Sequence, residues 1–188
     1  PARSVEVEEE DQKAWKMLQL LTAKPILYVC NVEENSSATG NSHSEKVIEM
    51  AGSQDAGVVI ISAQIEEEIS QLEADEALMF LEEMNLSEAG LDRLIRAGYD
   101  LLNLETYFTA GPKETRAWTI NKGTKAPVAA GVIHGDFEKG FIRAETISYD
   151  DYISFEGENG AKDAGKMRVE GKAYIVKDGD VMHFLFNT

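Results

Sequence analysis

The sequence predicts an α/β protein in two parts: a parallel strand–helix–strand unit, followed by a small mixed sheet crossed by a helix. The hydrophobic pattern changes near Leu104, from helical spacing before it to strand-like alternation after it. The charge changes at the same point, because residues 1–103 carry 7 basic and 21 acidic side chains whereas residues 104–188 carry 11 and 13. At 188 residues and 43% hydrophobic content, the chain can form one or two packed domains.

The strand predictions rest on short apolar runs and on alternation. The runs 26–30 and 57–61 are continuous and apolar, which predicts strands buried on both faces, and the right-handed crossover between them makes the strands parallel. Further strands are predicted at 104–108, 115–120, 141–147, 172–176 and 181–186. The dipeptide Asp178-Gly179 predicts a hairpin turn between the last two. This combination indicates a β-grasp sheet.

The helix predictions rest on apolar residues that recur at spacings of three and four. An amphipathic helix is expected to run past Trp15 and to end at Pro25. Further helices are predicted at 45–51, 66–84 and 91–102, with short ones at 149–155 and 161–166.

The composition excludes several classes of protein. A net charge of −16 opposes strong non-specific binding to DNA and adhesion to anionic membranes. The single cysteine, Cys30, excludes an intramolecular disulfide framework and suits a reducing cytoplasm. The longest apolar runs are far shorter than the roughly 20 residues that cross a bilayer, so we expect no membrane association. Because the chain starts at Pro1 without an initiator Met, we expect sequence upstream of it.

Polar residues follow the first two predicted strands, where ligands bind in open parallel sheets. Asn31 offers a donor and an acceptor, Glu34 can accept from an exocyclic amine, and the amides of Ser62 and Ala63 can meet a ring acceptor. These features are typical of a nucleotide-base site. Local spacing alone favours the alternative without a ligand site, in which Asn31 forms a turn and the acids are solvated.

Longer stretches of the sequence resemble the YchF, or Obg-like ATPase, family. Residues 21–34 and 61–66 are similar to its fourth and fifth nucleotide-binding motifs. Five more segments are similar to its C-terminal region: Gly90–Ile95, Tyr107–Gly111, Arg116–Ile120, Ala129–His134 and Asp178–Asp180. The resemblance implies the C-terminal part of a P-loop NTPase followed by a β-grasp, ubiquitin-like TGS domain.

The resemblance assigns ranges and ligands. It implies the end of a coiled-coil insertion at 1–22, the C-terminal part of the nucleotide-binding domain at 23–84, a helical link at 85–103 and the TGS domain at 104–188. It also implies ATP, with GTP less favoured, because Asn31-Val32-Glu33-Glu34 has the family's Asn-x-x-Glu form instead of Asn-Lys-x-Asp. The base-site residues expected from it are Asn31, Val32, Glu34, Ser62, Ala63 and Gln64.

The phosphate-binding parts of such an enzyme are not found in this sequence. Gly135–Gly140 has the four-residue spacing of a P-loop, but Phe141 follows where Lys is required. An intact member would carry the P-loop and the Mg²⁺ ligands upstream. We therefore expect this stretch alone not to hydrolyse ATP, and no catalytic residue is assigned within it.

A different kind of function is indicated by basic residues around Trp118. Lys113, Arg116, Lys122 and Lys125 could hold RNA phosphates. From the residues alone, the favoured interpretation is that Trp118 belongs to the core and the lysines are solvated, whereas the resemblance to TGS domains and the family's association with ribosomes support RNA contact. The alternative function is a non-enzymatic module that docks to ribosomal RNA or protein, and a purely structural adaptor is a third, less favoured one. The pair His134 and Asp136 is interpreted as a stabilised turn, so no metal site is predicted.

Overall fold

The computed structural model describes residues 1–187, and the chain divides into two compact units at Leu102 and Asn103. The first unit contains α1 (Gln12–Met17), β1 (Leu27–Asn31), α2 (Ser42–Gly52), β2 (Gly57–Ile61), α3 (Ala63–Ile69), α4 (Ala74–Glu83) and α5 (Gly90–Leu101). Short 3-10 turns occupy Ala2–Ser4, Glu9–Asp11, Leu21–Ala23 and Glu34–Ser36. Among residues 1–187, the helices are too short or too polar to span a lipid bilayer.

The predicted strand–helix–strand unit is confirmed. β1 and β2 pair in parallel, with Leu27 opposite Gly57 and Asn31 opposite Ile61. Helix α2 connects them and begins with a reciprocal cap, in which the Asn41 side chain accepts from the amide of Ser44 and the Ser44 hydroxyl accepts from the amide of Asn41. The prediction that both strands are buried on both faces was wrong, because Val29 is 45% exposed.

Two helices of the first unit are shorter than predicted. α1 ends at Met17 instead of continuing to Pro25, and Gln19 adopts a positive φ of 49° that a helix cannot contain. The predicted helix 66–84 is two helices, α3 and α4, separated by residues 70–73. The break allows Ile65 of α3 to share a buried cluster with Leu81 and Leu86. Tertiary packing therefore overrides a continuous helical pattern.

The second unit is a mixed five-stranded sheet with helices on its faces. Its elements are β3 (Leu104–Ala110), β4 (Thr115–Asn121), α6 (Ala126–Ile133), α7 (Gly135–Lys139), β5 (Phe141–Ser148), α8 (Tyr149–Ser154), α9 (Glu158–Asp163), β6 (Arg168–Glu170) and β7 (Asp180–Phe186). The strand order is β4-β3-β7-β5-β6, with β3 and β7 parallel in the middle. This is the order of a β-grasp sheet, as predicted.

The core of the second unit lies between the sheet and α6. Tyr107 is fully buried and donates its hydroxyl to the carbonyl of Ala129 at 2.8 Å, and this burial raises the pKa of Tyr107. Its ring meets Phe184 edge to face at a centroid distance of 5.8 Å. Small residues of α6, including Ala129 and Ala130, are completely buried, which lets the helix approach the sheet closely.

The C-terminal elements differ from the prediction. Residues 172–176 are not a strand: within the described chain they form one isolated bridge, between Lys125 and Ile175. The sixth strand is instead Arg168–Glu170, which pairs with β5, so Asp178-Gly179 does not close a hairpin. The predicted short helix 161–166 lies earlier, at Glu158–Asp163.

Candidate functional site

The segments that follow β1 and β2, here called the two motif loops, are joined at one edge of the sheet of the first unit. The first begins at Asn31 and the second at Ser62. Asn31 is the last residue of β1, and its Oδ1 atom accepts a hydrogen bond from the amide of Ala63 at 2.9 Å. The amide of Val32 donates to the carbonyl of Ile61 at 2.8 Å, and Val32 is buried. The parallel register places both strand ends side by side, so the structure brings these segments together as the sequence predicted.

Glu34 opens the 3-10 turn that follows β1. Its side chain is half-buried and has no hydrogen bond or ion pair among the described residues. A carboxylate without an internal partner can accept hydrogen bonds from a ligand. The side-chain amide nitrogen of Asn31 likewise makes no hydrogen bond within residues 1–187, so each end of the Asn-x-x-Glu segment retains hydrogen-bonding capacity.

The second loop contributes a buried hydroxyl. Ser62 is only 2% exposed, and its Oγ atom has no hydrogen-bond partner among the described residues. Such a group is costly to bury unless something satisfies it, which makes it notable beside a candidate ligand site. The amide of Ala63 is already donated to Asn31, while the side chain of Gln64 is exposed.

Sequence reasoning missed Glu33 as the residue that organises the first loop. Its carboxylate accepts from the hydroxyl of Ser36 at 2.6 Å and from the side-chain amide of Asn41 at 2.9 Å. The hydrogen bond from Ser36, followed by smaller contributions that include Asn41, lowers the pKa of Glu33. Glu33 thereby ties the Glu34 turn to the N-terminus of α2. The only sequence signal for it is an acid placed shortly before a helix-capping Asn.

A second missed residue is Glu66 on α3. Its two carboxylate oxygens accept from the amides of Gly90 at 2.7 Å and of Leu91 at 3.0 Å, the first residues of α5. An acid at a helix N-terminus satisfies amides that have no partner within the helix. Arg93 of the same helix donates to the carbonyl of Ile60 at 3.1 Å, so α5 is fixed to the end of β2 that leads into the candidate site.

The four predicted RNA-contacting residues are spread along the edge strand β4 and its ends. Lys113 lies in the turn before the strand, whereas Lys122 and Lys125 lie beyond its last residue, roughly 20 Å away by strand geometry. Arg116 sits over the ring of Trp118, 4.3 Å from its centroid, and is 3.7 Å from Glu114. Trp118 is half-buried and donates to the hydroxyl of Thr109 at 2.9 Å. The structure therefore brings Arg116 and Trp118 together, but not all four basic residues.

Metal ligation has no support among residues 1–187, where no group of three or more His, Cys, Asp or Glu side chains could hold an ion. His134 instead accepts from the amide of Asp136 at 3.2 Å and caps α7, as the interpretation of a stabilised turn predicted. Cys30 is a free thiol, half-buried on β1.

Comparison with known proteins gives a consistent relationship along the chain. Residues 104–187 match the family YchF-GTPase_C, described as a protein of unknown function (DUF933). The chain is 58% identical to the ribosome-binding ATPase YchF of Bacillus subtilis, covering 100% of this chain and 52% of that protein. It is 47% identical to Obg-like ATPase 1 of Rattus norvegicus, covering 90% of this chain and 43% of that protein.

A solved structure supports the same assignment. The Schizosaccharomyces pombe YchF GTPase superposes with a TM-score of 0.80 at 36% identity, covering 97% of this chain and 49% of that one. The chain thus spans about half the length of the relatives it matches. Motifs, strand order and comparisons agree, and the chain belongs to the YchF, or Obg-like ATPase, family.

Proposed function

We propose that this chain supplies the base-recognition end and the C-terminal docking domain of a ribosome-associated, YchF-type ATPase of the cytoplasm. The observation that carries the proposal is the hydrogen bond from the Ala63 amide to Asn31, which joins the two motif loops at one sheet edge. The names of the relatives, a ribosome-binding ATPase and an Obg-like ATPase, support the activity and the ribosomal partner.

In this proposal the base lies between the two loops. Asn31 and Glu34 contact its polar edge, Val32 lies against it, and Ser62, Ala63 and Gln64 form the opposite side. Support comes from the donor capacity left on Asn31, the unpartnered carboxylate of Glu34 and the buried, unpaired hydroxyl of Ser62. These groups are the donors and acceptors that a purine edge requires.

We infer a preference for ATP over GTP from the same residues. Guanine recognition in P-loop GTPases uses an Asp that accepts two hydrogen bonds, positioned beside a Lys that lies along the base. Here Val32 replaces the Lys, and the acid is the longer Glu34 on a 3-10 turn. A site that does not present the bidentate acceptor loses its discrimination for guanine.

Phosphoryl transfer is assigned to other parts of the intact protein. Mg²⁺ would supply charge neutralisation on the phosphates, with its ligands outside this stretch. Residues 23–84 would complete the nucleotide-binding domain, 85–103 would link it to the TGS domain at 104–188, and 1–22 would end the coiled-coil insertion. In this proposal the base-site side chains of this chain bind and orient the base and do not take part in hydrolysis.

The proposal is tested by ATP affinity in the intact protein. The double variant Asn31→Ala/Glu34→Ala is expected to weaken ATP binding at least tenfold, since each lost hydrogen bond to a base is worth about 1 kcal/mol or more. Glu67→Ala, which removes an exposed carboxylate of α3, is the matched control and should leave affinity unchanged. Unchanged affinity in the double variant, measured by calorimetry, would refute the base-site assignment.

A second function, docking to the ribosome through β4, is favoured by the pairing of Arg116 with Trp118 on an edge strand. We propose that this edge contacts ribosomal RNA. Because the basic residues lie at two ends of β4, Lys113→Glu/Arg116→Glu and Lys122→Glu/Lys125→Glu are tested separately for ribosome co-sedimentation at several salt concentrations. Loss of binding with normal ATP turnover supports docking through the altered end. Unchanged binding in both variants would exclude it.

A further inference from the structure

A groove on the second unit belongs neither to the candidate base site nor to the basic edge. It has a volume of about 420 Å³ and lies where β3, the start of α8 and the turn before β7 meet. Ligand pockets commonly occupy about 300–1,000 Å³, so the groove has room for a side chain and its neighbours. Its lining includes Thr106, Phe108, Ser148, Tyr149, Asp150 and Asp178.

The position of Asp178 in this groove is set by the backbone. Its Oδ1 atom accepts from the amide of Thr106 at 2.7 Å, and the amide of the following Gly179 donates to the carbonyl of Thr106 at 2.8 Å. These two bonds join the turn to β3 although the residues are 72 positions apart. The other carboxylate oxygen has no hydrogen bond or ion pair among residues 1–187.

The lining of the groove also includes two aromatic rings and a second unpaired acid. The rings of Phe108 and Tyr149 are 5.9 Å apart and tilted by 40°, and Tyr149 remains 50% exposed. Asp150 is exposed and forms no ion pair in the described part of the chain, whereas its neighbour Asp151 is 3.3 Å from Lys166. The charge of Asp151 is therefore compensated and that of Asp150 is not.

The composition of the groove selects the charge of its occupant. Two carboxylates without a basic partner attract a cation, and aromatic faces stabilise a cation that lies against them. The same carboxylates repel phosphate groups, which makes RNA a poor occupant. The basic residue nearest in sequence, Lys177, forms no ion pair with either acid in the structure.

We propose that this groove binds an arginine or lysine side chain presented by a partner protein. Arginine fits best, because its planar guanidinium can stack on Tyr149 while its fork of donors reaches a carboxylate. This recognition of a basic protein segment is separate from nucleotide binding and from RNA contact through β4. It gives the β-grasp unit a protein-binding surface whose lining residues do not belong to the edge strand β4.

The experiment is an NMR titration of the isotope-labelled 188-residue chain with a capped tetra-arginine peptide. Amide shifts are expected at Thr106, Phe108, Tyr149 and Asp178. A capped tetra-citrulline peptide, which has the same shape without the charge, should produce no shifts there. The variant Asp150→Asn/Asp178→Asn retains the acceptor facing Thr106, and it is expected to weaken binding about threefold to tenfold, given the modest worth of exposed ion pairs.

Controls separate local recognition from net charge. Asp75→Asn/Asp163→Asn removes the same charge from exposed positions outside the groove and should bind like the parent chain. Tyr149→Leu should weaken arginine binding about twofold to fivefold through loss of the aromatic face. Equal binding by the groove variant and the parent, or shifts spread over all acidic surfaces, would overturn the proposal. Binding of oligouridylate to the same amides would also overturn it, in favour of RNA.

Discussion

The side-chain oxygen of Asn31 accepts a hydrogen bond from the backbone amide of Ala63, 32 residues further along the chain, at 2.9 Å. This bond joins the ends of two parallel strands, and it uses the acceptor of Asn31 while leaving its donor available. The residue therefore has two separable groups: its acceptor holds the loops together, and its donor is the group that contacts the base in the proposed function.

The two roles of Asn31 predict different effects for two substitutions. Asn31→Asp retains the acceptor for Ala63 but loses the amide donor, so it should weaken ATP binding in the intact protein with little loss of stability. Asn31→Ala loses both and should also lower the free energy of unfolding by about 1 kcal/mol. Calorimetric ATP titration and urea denaturation of both variants measure the split. Equal stability of the two variants would contradict a tethering role.

We predict that the stability of the loop after β1 depends on pH through Glu33. Because hydrogen bonds from Ser36 and Asn41 lower the pKa of Glu33, its stabilising effect is present above the ordinary glutamate value of 4.5 and is lost as the pH falls through the lowered value. Side-chain NMR signals of Ser36 and Asn41 should report this transition. The variant Glu33→Gln should lack it, and a transition that persisted in the variant would assign it to another group.

Glu66 predicts a specific stability effect in the first unit. Replacing it with Ala removes both acceptors for the first amides of α5 and should cost about 1–3 kcal/mol in urea denaturation. Glu66→Gln retains one acceptor and should cost less. Glu67→Ala, one residue away and exposed, is the control and should stay within about 0.5 kcal/mol of the parent.

We predict that replacing Glu105 with a neutral residue of similar size raises the stability of the second unit. It is 8% exposed, and one of its carboxylate oxygens has no hydrogen-bond partner among the described residues. Burial, with a smaller contribution from the charge of Asp178, raises the pKa of Glu105. A raised carboxyl pKa stabilises the fold at low pH, and the effect is lost as the pH rises through the folded-state value.

Glu105→Gln should therefore stabilise the second unit at pH 7 by on the order of 1 kcal/mol, since it removes a buried charge that is incompletely paired. The gain should shrink as the pH falls through the raised folded-state value, and it should be gone below about 4.5, the ordinary glutamate value, where the parent side chain is neutral in both the folded and the unfolded state. Thermal unfolding measured across this range tests the sign. A gain that grew on acidification would contradict the assignment.

Local patterns predicted the elements whose partners are close in sequence. Strand Gly57–Ile61 was predicted with its observed bounds, and its parallel pairing with β1 follows from the handedness of a single crossover. The position of Asn31 and Ser62 at strand ends was equally visible. In the second unit the change of period near Leu104 agrees with the unit boundary that the structure places at Leu102 and Asn103.

The sequence by itself determined the hydrophobic period of the helices and strands, many of the residues at which they begin or end, and the residues of the two motifs. These features depend on hydrophobic spacing and capping, which act over a few positions. Only the tertiary structure decided features that depend on distant partners. Asp178-Gly179 resembled a hairpin turn, but the Asp178 side chain bonds the amide of Thr106 in another strand. Likewise, the local sequence does not distinguish Glu66 from the other acids of its helix. Its role follows from the amide of Gly90 in α5, which donates to its carboxylate. Their roles come from backbone amides that lie 72 and 24 positions away, beyond the reach of any local pattern.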